Sequence, residues 1–117
     1  MIQPKDITTN QSFMGSVFRN AECEVILRNL ILLQKDADPD NWTPFTWEQY
    51  KAFCSHGVTD GERGVLNTLV NGGKSVPNTT TYQEPGWLEF DGTRYMFTEK
   101  MLDMIERDFA GGNMEQE

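Results

Sequence analysis

The sequence predicts a single α+β domain in which three helices are followed by a β-hairpin and a closing fourth helix. Three observations predict this class. Apolar residues recur every three or four positions between about residues 20 and 35. Two later segments begin with a threonine followed three residues on by Gln or Glu, a pattern typical of helix N-termini. Near the C-terminus two aromatic-rich runs are joined by Asp91-Gly92, a dipeptide typical of hairpin turns.

Size and composition are those of an ordinary globular domain. The chain has 117 residues, of which 38% are hydrophobic and 24% charged. Its longest apolar run, Ile26 to Leu33, is far shorter than the ~20 residues of a membrane span. No basic region followed by an apolar core opens the sequence, so we expect a cytoplasmic protein with no membrane contact. The formal net charge of -8 repels nucleic-acid phosphates at long range.

The predicted domain covers residues 16–109 and is flanked by less ordered ends. Residues 1–15 are polar, include Pro4 and show no apolar period, so we expect a loosely ordered N-terminal arm. The tail, residues 110–117, is predicted to be disordered because it is polar and rich in glycine and glutamate.

The first helix is predicted to run from about Asn20, or from Ser16, to Lys35. Its apolar positions form a face too broad for a single packing contact: Cys23, Ile26, Leu27, Leu30, Ile31, Leu32 and Leu33. We therefore expect this helix to lie at the centre of the core. The alternative is that part of its face also forms a homodimer interface. Cys23 and Cys54 lie on different predicted helices and are expected to be buried free thiols.

The second helix is predicted from its capping residues. Thr46 with Gln49 forms a capping box, and Phe45 and Tyr50 are placed to form the hydrophobic staple that accompanies such a cap. We expect the helix to end near Ser55.

The third helix repeats the same pattern. Thr59 and Glu62 form its capping box, and it is predicted to end at Asn71, before two glycines. One side carries the residues expected to face the core: Glu62, Val65, Leu66, Leu69 and Val70. The opposite side, expected to face solvent, carries Asp60, Arg63, Asn67 and Asn71.

The hairpin is predicted from the Asp91-Gly92 turn, read as type I′ with positive φ at both positions. This register pairs Glu89 with Arg94 as opposite charges. It places four residues on one face suited to a core: Leu88, Phe90, Tyr95 and Phe97. Trp87 falls on the other face, so we expect it to be exposed unless another element covers it.

The fourth helix follows the hairpin directly. Thr98 is its predicted N-cap, with Phe97 stapled to Leu102. Leu102, Ile105 and Phe109 are expected on its buried side.

This order of elements, with the short extended segment TPFT (43–46) between the first two helices, resembles the winged helix-turn-helix family. The resemblance covers about residues 20–109. Its most family-like piece is GWLEFDGTRYMFTEKMLDMIE (86–106), which looks like wing strands running through an aromatic residue and a threonine into a closing helix. The resemblance implies that the third helix enters the DNA major groove and that the hairpin forms the wing.

The resemblance assigns candidate binding residues to the third helix and the hairpin. Arginine can bond guanine at two atoms and asparagine can do the same to adenine, which makes the solvent side of the third helix chemically suitable. The candidate DNA- or partner-binding residues are Arg63, Asn67, Thr68, Asn71, Lys74, Trp87 and Arg94. The alternative interpretation of the helical residues is an ordinary solvated helix face.

Three features depart from the DNA-binding pattern. The wing tip, Asp91-Gly92, is acidic and short, and residues 57–74 have no local excess of positive charge. Residues 98–117 carry six acidic and two basic side chains. A winged-helix fold does not oblige DNA binding, and many members of the fold are protein-interaction modules.

The sequence therefore predicts a non-enzymatic binding module with two alternative targets. In the first, a regulatory domain contacts DNA through the third helix, as a dimer. In the second, an acidic module binds a protein instead, through its charge or through the aromatic residues Trp42, Trp47 and Trp87, which are expected to be exposed.

No motif for catalysis, a metal or a cofactor stands out, so we expect none of the three. The acidic residues in loop 36–40 have the spacing of the first EF-hand ligands, but Asn41 and Trp47 occupy the positions of the required glycine and glutamate. Cys54 and His56 at a helix end lack the orienting third group that nucleophilic catalysis needs.

Overall fold

The computed structural model describes residues 2–7, 21–54, 57–73 and 84–107. Within these ranges the chain forms four α-helices and one three-stranded antiparallel sheet, which confirms the predicted α+β class. The elements are, in chain order, α1 (Ala21–Ala37), β1 (Phe45–Thr46), α2 (Trp47–Phe53), α3 (Asp60–Asn71), β2 (Leu88–Phe90), β3 (Arg94–Phe97) and α4 (Glu99–Ile105). None of the helices in the described part of the chain has the length and apolar character of a transmembrane span.

Helix α1 packs against α2 and α3, as the breadth of its apolar face predicts. Its buried residues are Ile26, Leu27, Leu30, Ile31 and Leu33. The helix continues to Ala37, two residues past the predicted end, while the predicted start at Asn20 or Ser16 lies outside the described residues. Val25 and Leu32, seven positions apart, remain exposed on its outer side.

A buried glutamine joins α1 to the start of the sheet. The side-chain amide of Gln34 donates from Nε2 to the carbonyl oxygen of Thr43 over 2.8 Å, and its Oε1 accepts the Thr43 N–H, also over 2.8 Å. Gln34 thus pairs with both backbone groups of Thr43, as a neighbouring strand would. Because an unpaired buried amide is costly, these bonds hold the 38–44 loop onto α1.

The capping signals of α2 and α3 are confirmed. The Gln49 N–H donates to Thr46 Oγ1 over 3.0 Å, and the Thr46 N–H donates to Gln49 Oε1 over 2.8 Å. At α3 the Thr59 N–H donates to Glu62 Oε2 over 3.3 Å. Helix α2 ends at Phe53, slightly before the predicted boundary. Caps of this kind contribute ~1 kcal/mol each to stability.

Helix α3 has the two sides that its sequence predicts. Val65, Leu66 and Leu69 are buried. The residues expected to face solvent are all exposed: Asp60, Arg63, Asn67 and Asn71. The helix ends at Asn71, and the following Gly72 adopts a positive φ of 78°.

Strands β2 and β3 form the predicted hairpin, but the predicted register is wrong by two residues. Leu88 pairs with Phe97, and Glu89 pairs with Met96, whereas the sequence predicted that Glu89 would face Arg94. Because side chains alternate along a strand, a shift of two keeps each side chain on its predicted face. Leu88, Tyr95 and Phe97 are accordingly buried, while Phe90, near the tip, stays exposed.

The hairpin register differs from the predicted one because the Asp91 carboxylate takes part in the turn. Its Oδ1 accepts the N–H groups of Thr93 (2.9 Å) and Arg94 (2.7 Å), and the positive φ of the turn, 101°, falls on Gly92. These bonds hold the pKa of the Asp91 carboxyl below its usual range. Glu89 therefore does not face Arg94, which instead lies 3.8 Å from Asp91 as an ion pair.

The extended segment before α2 becomes the third strand. β1 pairs antiparallel with β3, so the strand order is β1-β3-β2. Phe45 lies opposite Tyr95 with ring centroids 5.6 Å apart, and Thr46 lies opposite Arg94. The inner face of the sheet, which carries Phe45 and Tyr95, completes the core under the helices.

Helix α4 begins as predicted. Thr98 Oγ1 accepts the Met101 N–H over 3.2 Å and donates to the Gly86 carbonyl oxygen over 2.6 Å. The buried residues of the helix are Met101, Leu102, Met104 and Ile105. Phe109 and the tail at 110–117 lie outside the described residues.

The start of the chain differs from the predicted loose arm. Residues 2–7 contain a single 3-10 turn, and both Ile2 and Ile7 are buried in the core. Trp42 Nε1 donates to the Ile2 carbonyl oxygen over 2.9 Å, and Lys35 Nζ donates to that of Ile7 over 3.0 Å. The prediction fails here because two isoleucines five residues apart, in an irregular segment, carry no periodic signal. Residues 8–15 lie outside the described ranges.

Candidate functional site

The exposed side of α3 carries three of the predicted binding residues in a row. Arg63, Asn67 and Asn71 recur every four positions and therefore line one side of the helix. The Arg63 guanidinium lies over the Trp47 ring, 5.6 Å from its centroid, and Asn67 Oδ1 accepts the Tyr95 hydroxyl over 3.2 Å. Both side chains are thus partly engaged within the protein.

Thr68 is not part of this surface, contrary to the prediction. Its side chain is buried, and its hydroxyl donates to the Gly64 carbonyl oxygen over 2.9 Å. Thr68 follows Val65 by three positions and adjoins Leu69, so it belongs to the core side of the helix. Lys74, the last predicted residue of this helix region, lies outside the described residues.

Trp87 is also not the exposed binding residue that the sequence predicted. It is only 3% exposed, because α4 covers it: Lys100 Nζ lies 4.4 Å from the centroid of the indole ring. Residue 87 precedes β2, and its N–H donates to the Leu69 carbonyl oxygen over 2.9 Å. The sequence analysis expected Trp87 to be exposed only if no other element covered it, and α4 supplies that cover.

The other two tryptophans are not exposed anchors either. Trp47 is buried, stacked on Tyr50 and flanked by cations, with Lys51 Nζ 5.9 Å from its centroid. Trp42 is half-buried and stacks on Phe97 with centroids 5.0 Å apart. The predicted set of exposed aromatic residues is therefore wrong for all three.

Arg94 is exposed but does not join the α3 residues. Its neighbour Tyr95 points to the core, so the alternation of side chains places Arg94 on the outer face of the sheet, away from α3. The structure therefore divides the predicted site: Arg63, Asn67 and Asn71 lie on α3, Arg94 lies on the outer sheet face, and Trp87 lies under α4.

Many cationic side chains of the described residues pair with nearby carboxylates. The ion pairs and their N···O distances are Lys5–Asp40 at 2.7 Å, Lys51–Glu48 at 3.3 Å, Arg94–Asp91 at 3.8 Å and Lys100–Glu84 at 3.3 Å. Exposed pairs of this kind contribute little to stability, but they neutralise the local positive potential. Arg63 on α3 has an acidic neighbour one turn earlier, Asp60. The described surface thus offers little positive charge to a phosphate backbone.

The outer face of the sheet exposes an apolar side chain, Met96, that is not among the predicted binding residues. Met96 is 36% exposed, and Phe90, which stacks on Tyr95 at the tip of the inner face, is 39% exposed. Met96 pairs with Glu89 of β2, and on its other side it shares the lining of a depression with Pro44, the residue before β1. A shallow depression of about 170 Å³ is lined by Pro44, Glu89, Phe90, Asp91, Arg94 and Met96. Met96 also borders a groove of about 320 Å³ that continues toward Trp42, Phe97 and Leu102.

We name this region the outer sheet surface and define it by Pro44, Glu89, Asp91, Arg94 and Met96. One sequence signal could have predicted this surface: the alternation in β3 places the apolar Met96 on the solvent side, between two core residues. The hairpin register was needed to place Glu89 and Pro44 beside it.

No known family model matches this chain, and no curated protein or solved structure matches it with significant similarity.

A buried polar cluster joins α1, α2 and α3. The Tyr50 hydroxyl donates to Glu62 Oε1 over 3.3 Å and accepts from Asn29 Nδ2 over 3.4 Å. Burial raises the pKa of the Tyr50 phenol well above its usual range. Burial also raises the pKa of the Cys54 thiol, which favours the unreactive thiol form over the nucleophilic thiolate. The cluster has the properties of a structural network.

The acidic loop after α1 uses its carboxylates to shape a turn. Asp38 Oδ1 accepts the Asp40 N–H over 3.0 Å, and its Oδ2 accepts from Asn41 Nδ2 over 3.3 Å. Asp40 forms the ion pair with Lys5. Within the described ranges, no group of three or more His, Cys, Asp or Glu residues is placed to share a metal ion.

Proposed function

We propose that this protein is a non-enzymatic interaction module on a winged-helix-like scaffold, and that it binds a protein partner through the outer sheet surface. The observation that carries the proposal is the exposure of Met96 beside the carboxylates of Glu89 and Asp91. A cytoplasmic location stays a prediction from the sequence.

The scaffold part of this proposal is supported by the order of the elements. The resemblance depends on three helices, a short strand between the first two, a hairpin and a closing helix. The pairing of β1 with β3 fits this arrangement, since it joins the short strand to the hairpin in one sheet. A scaffold of this kind does not decide the target, which must be argued from the surface.

The surface chemistry favours a protein partner. Methionine is flexible and polarizable, so the exposed Met96 can adapt to an apolar side chain of a partner. The neighbouring carboxylates and the net charge of -8 favour an approaching surface that is basic. Nucleic-acid binding would instead require positive charge that is available to phosphates. Four of the described cations pair with carboxylates of the same chain: Lys5, Lys51, Arg94 and Lys100.

A charge substitution at the centre of the surface tests the proposal. Tagged protein is used to capture partners from an extract of its source cells, and the bound proteins are compared with those captured by Met96→Lys. Ala52→Lys is the matched control, because Ala52 is exposed on α2 and does not line the outer sheet surface.

We expect a partner that is retained by the wild type and by Ala52→Lys but reduced about tenfold or more by Met96→Lys, since burying a charge in place of an apolar contact is costly. Retention of every captured partner by Met96→Lys would show that the outer sheet surface is not the binding site.

DNA binding through α3 is the second candidate, favoured by the exposed row of Arg63, Asn67 and Asn71. An electrophoretic shift against mixed duplex DNA at low salt tests it. A shift that is weakened by Arg63→Ala and by added salt would support it. The absence of a shift at micromolar protein would exclude this candidate.

A homodimer through α1 remains a prediction. On the described part of this helix, Val25 and Leu32 are the large apolar side chains left exposed. Two such residues supply only a small part of the ~800 Å² per partner that stable interfaces bury. Sedimentation of the wild type and of Val25→Lys measures whether this face associates.

A further inference from the structure

We infer that the groove between α4 and the segment before β2 is a binding site for the ammonium group of a lysine side chain on a polypeptide partner, and that the protein's own Lys100 occupies this site in the absence of the partner. The groove measures about 550 Å³ and includes Trp87 and Lys100 in its lining. It shares no lining residue with the outer sheet surface, so the inference goes beyond the proposed function.

The contacts of Lys100 define what the site recognises. Its Nζ lies 4.4 Å from the Trp87 ring centroid, 2.8 Å from the Pro85 carbonyl oxygen and 3.3 Å from Glu84 Oε2. An aromatic face, a carbonyl and a carboxylate together satisfy an ammonium group, which has three N–H donors and a full positive charge. The site is thus built for an ammonium group and already holds one.

The rest of the groove has features that a second lysine can use. Glu99 and Asp103 are four residues apart on α4, so both carboxylates lie along the same side of the helix. Met104 provides an apolar wall against which the methylene stem of a lysine can pack. When Lys100 leaves, three carboxylates remain in the lining against the single cation Arg107. This charge balance favours a cationic ligand over a neutral one.

Lys100 is held in a way that allows exchange. Its side chain is 42% exposed, and it bears its charge on a flexible four-carbon stem. Because exposed ion pairs are weak, moving the ammonium group of Lys100 into water costs little. An incoming lysine then makes the same contacts with Trp87, Pro85 and Glu84, and it adds the carboxylates of α4 and the Met104 wall.

A titration of the full chain tests this inference at low salt. The probe is the peptide acetyl-Gly-Gly-Lys-Gly-Gly-amide, followed by the amide and indole N–H signals of the protein in NMR spectra. The comparison peptide carries norleucine in place of lysine, which keeps the stem and removes the charge. We expect the lysine peptide to shift the signals of Trp87 and Lys100 and the norleucine peptide to leave them unchanged.

Substitution of Lys100, which competes with the peptide for the site, provides a second test. Lys100→Ala is expected to raise the affinity for the lysine peptide about fivefold, because the Trp87 face no longer holds a cation. Lys100→Arg keeps a cation over the ring and is expected to bind as the wild type does. Glu84→Gln in the Lys100→Ala background is expected to lower the affinity again. Lys51→Ala is the matched control, since it removes a cation that lies near a different tryptophan ring, that of Trp47.

Equal binding of the norleucine peptide, or an affinity that Lys100→Ala leaves unchanged or lowers, would overturn the inference. Unaltered amide spectra of the variants away from the groove establish that they are folded. The outcome is separable from that of the proposed function, because Met96→Lys alters the outer sheet surface and is expected to leave peptide binding in the groove unchanged.

Discussion

Among single residues, Tyr50 shows how burial controls the chemistry of a side chain. The phenol is enclosed by α1, α2 and α3, where it bonds to Asn29 and Glu62. Water would stabilise the phenolate, and its exclusion raises the pKa of Tyr50 above the ordinary value of 10.0. The folded protein therefore retains the Tyr50 proton at a pH at which the unfolded chain releases it.

This difference predicts a loss of stability at alkaline pH. The contribution of Tyr50 is complete below pH 10.0 and declines as the pH rises above that value, since the unfolded state then binds fewer protons than the folded one. The limiting slope is ~1.4 kcal/mol per pH unit. Urea unfolding of the wild type and Tyr50→Phe between about pH 8 and about pH 11 measures it. Equal slopes in the two proteins would contradict the assignment to Tyr50.

Among the structural elements, the hairpin depends on a turn that combines two residues. Asp91 accepts two backbone N–H groups with one carboxylate oxygen, and Gly92 supplies the positive φ of 101°. The carboxylate bonds replace part of the backbone pairing that a type I′ turn would make. The turn therefore sets the register of β2 against β3, and with it the neighbours of Met96 on the outer sheet surface.

Two glycine substitutions are expected to change stability in opposite directions. Gly92→Ala should destabilise the protein by about 1 kcal/mol, because alanine rarely adopts positive φ. Gly64→Ala should stabilise it by about 0.5–1 kcal/mol, because a Cβ there meets no atom within 4 Å and alanine favours the helix. Urea unfolding midpoints of the two variants measure both effects. Stabilisation by Gly92→Ala would show that the turn has a different backbone.

At the scale of the whole molecule, the core is assembled from both ends of the described chain. Ile2 and Ile7 pack in the same core as Leu102 and Ile105 of α4. Lys35 and Trp42 hold the N-terminal turn through its backbone carbonyl groups. The start of the chain is therefore part of the folded domain.

The contribution of the N-terminal turn is measurable with one substitution. Ile7→Ala should lower the free energy of unfolding by about 3 kcal/mol, since Ile7 is fully enclosed and the substitution leaves a cavity. Leu32→Ala, at a partly exposed position of α1, is the control and should cost about 1 kcal/mol or less. Similar losses in the two variants would mean that residues 2–7 are not packed as described.

The features that depend on interactions between residues close in sequence could be predicted from the sequence. The caps at Thr46, Thr59 and Thr98 depend on hydrogen bonds within three residues, and the core sides of α1 and α3 follow from helical periodicity. The exposed row on α3 was predicted in the same way, except for Thr68. A small polar residue at the edge of an apolar stripe can belong to either side of a helix, and packing decides which.

The sequence by itself determined the fold class, the element order and most helix boundaries, because those depend on neighbours a few positions apart. Tertiary structure decided the burial of Trp87 beneath α4, the burial of Ile2 and Ile7, and the placement of Pro44 and Glu89 beside Met96. Each of these depends on contacts between segments distant in the chain, and the pattern around a residue does not specify which distant segment will cover it. The candidate binding surfaces are products of those contacts.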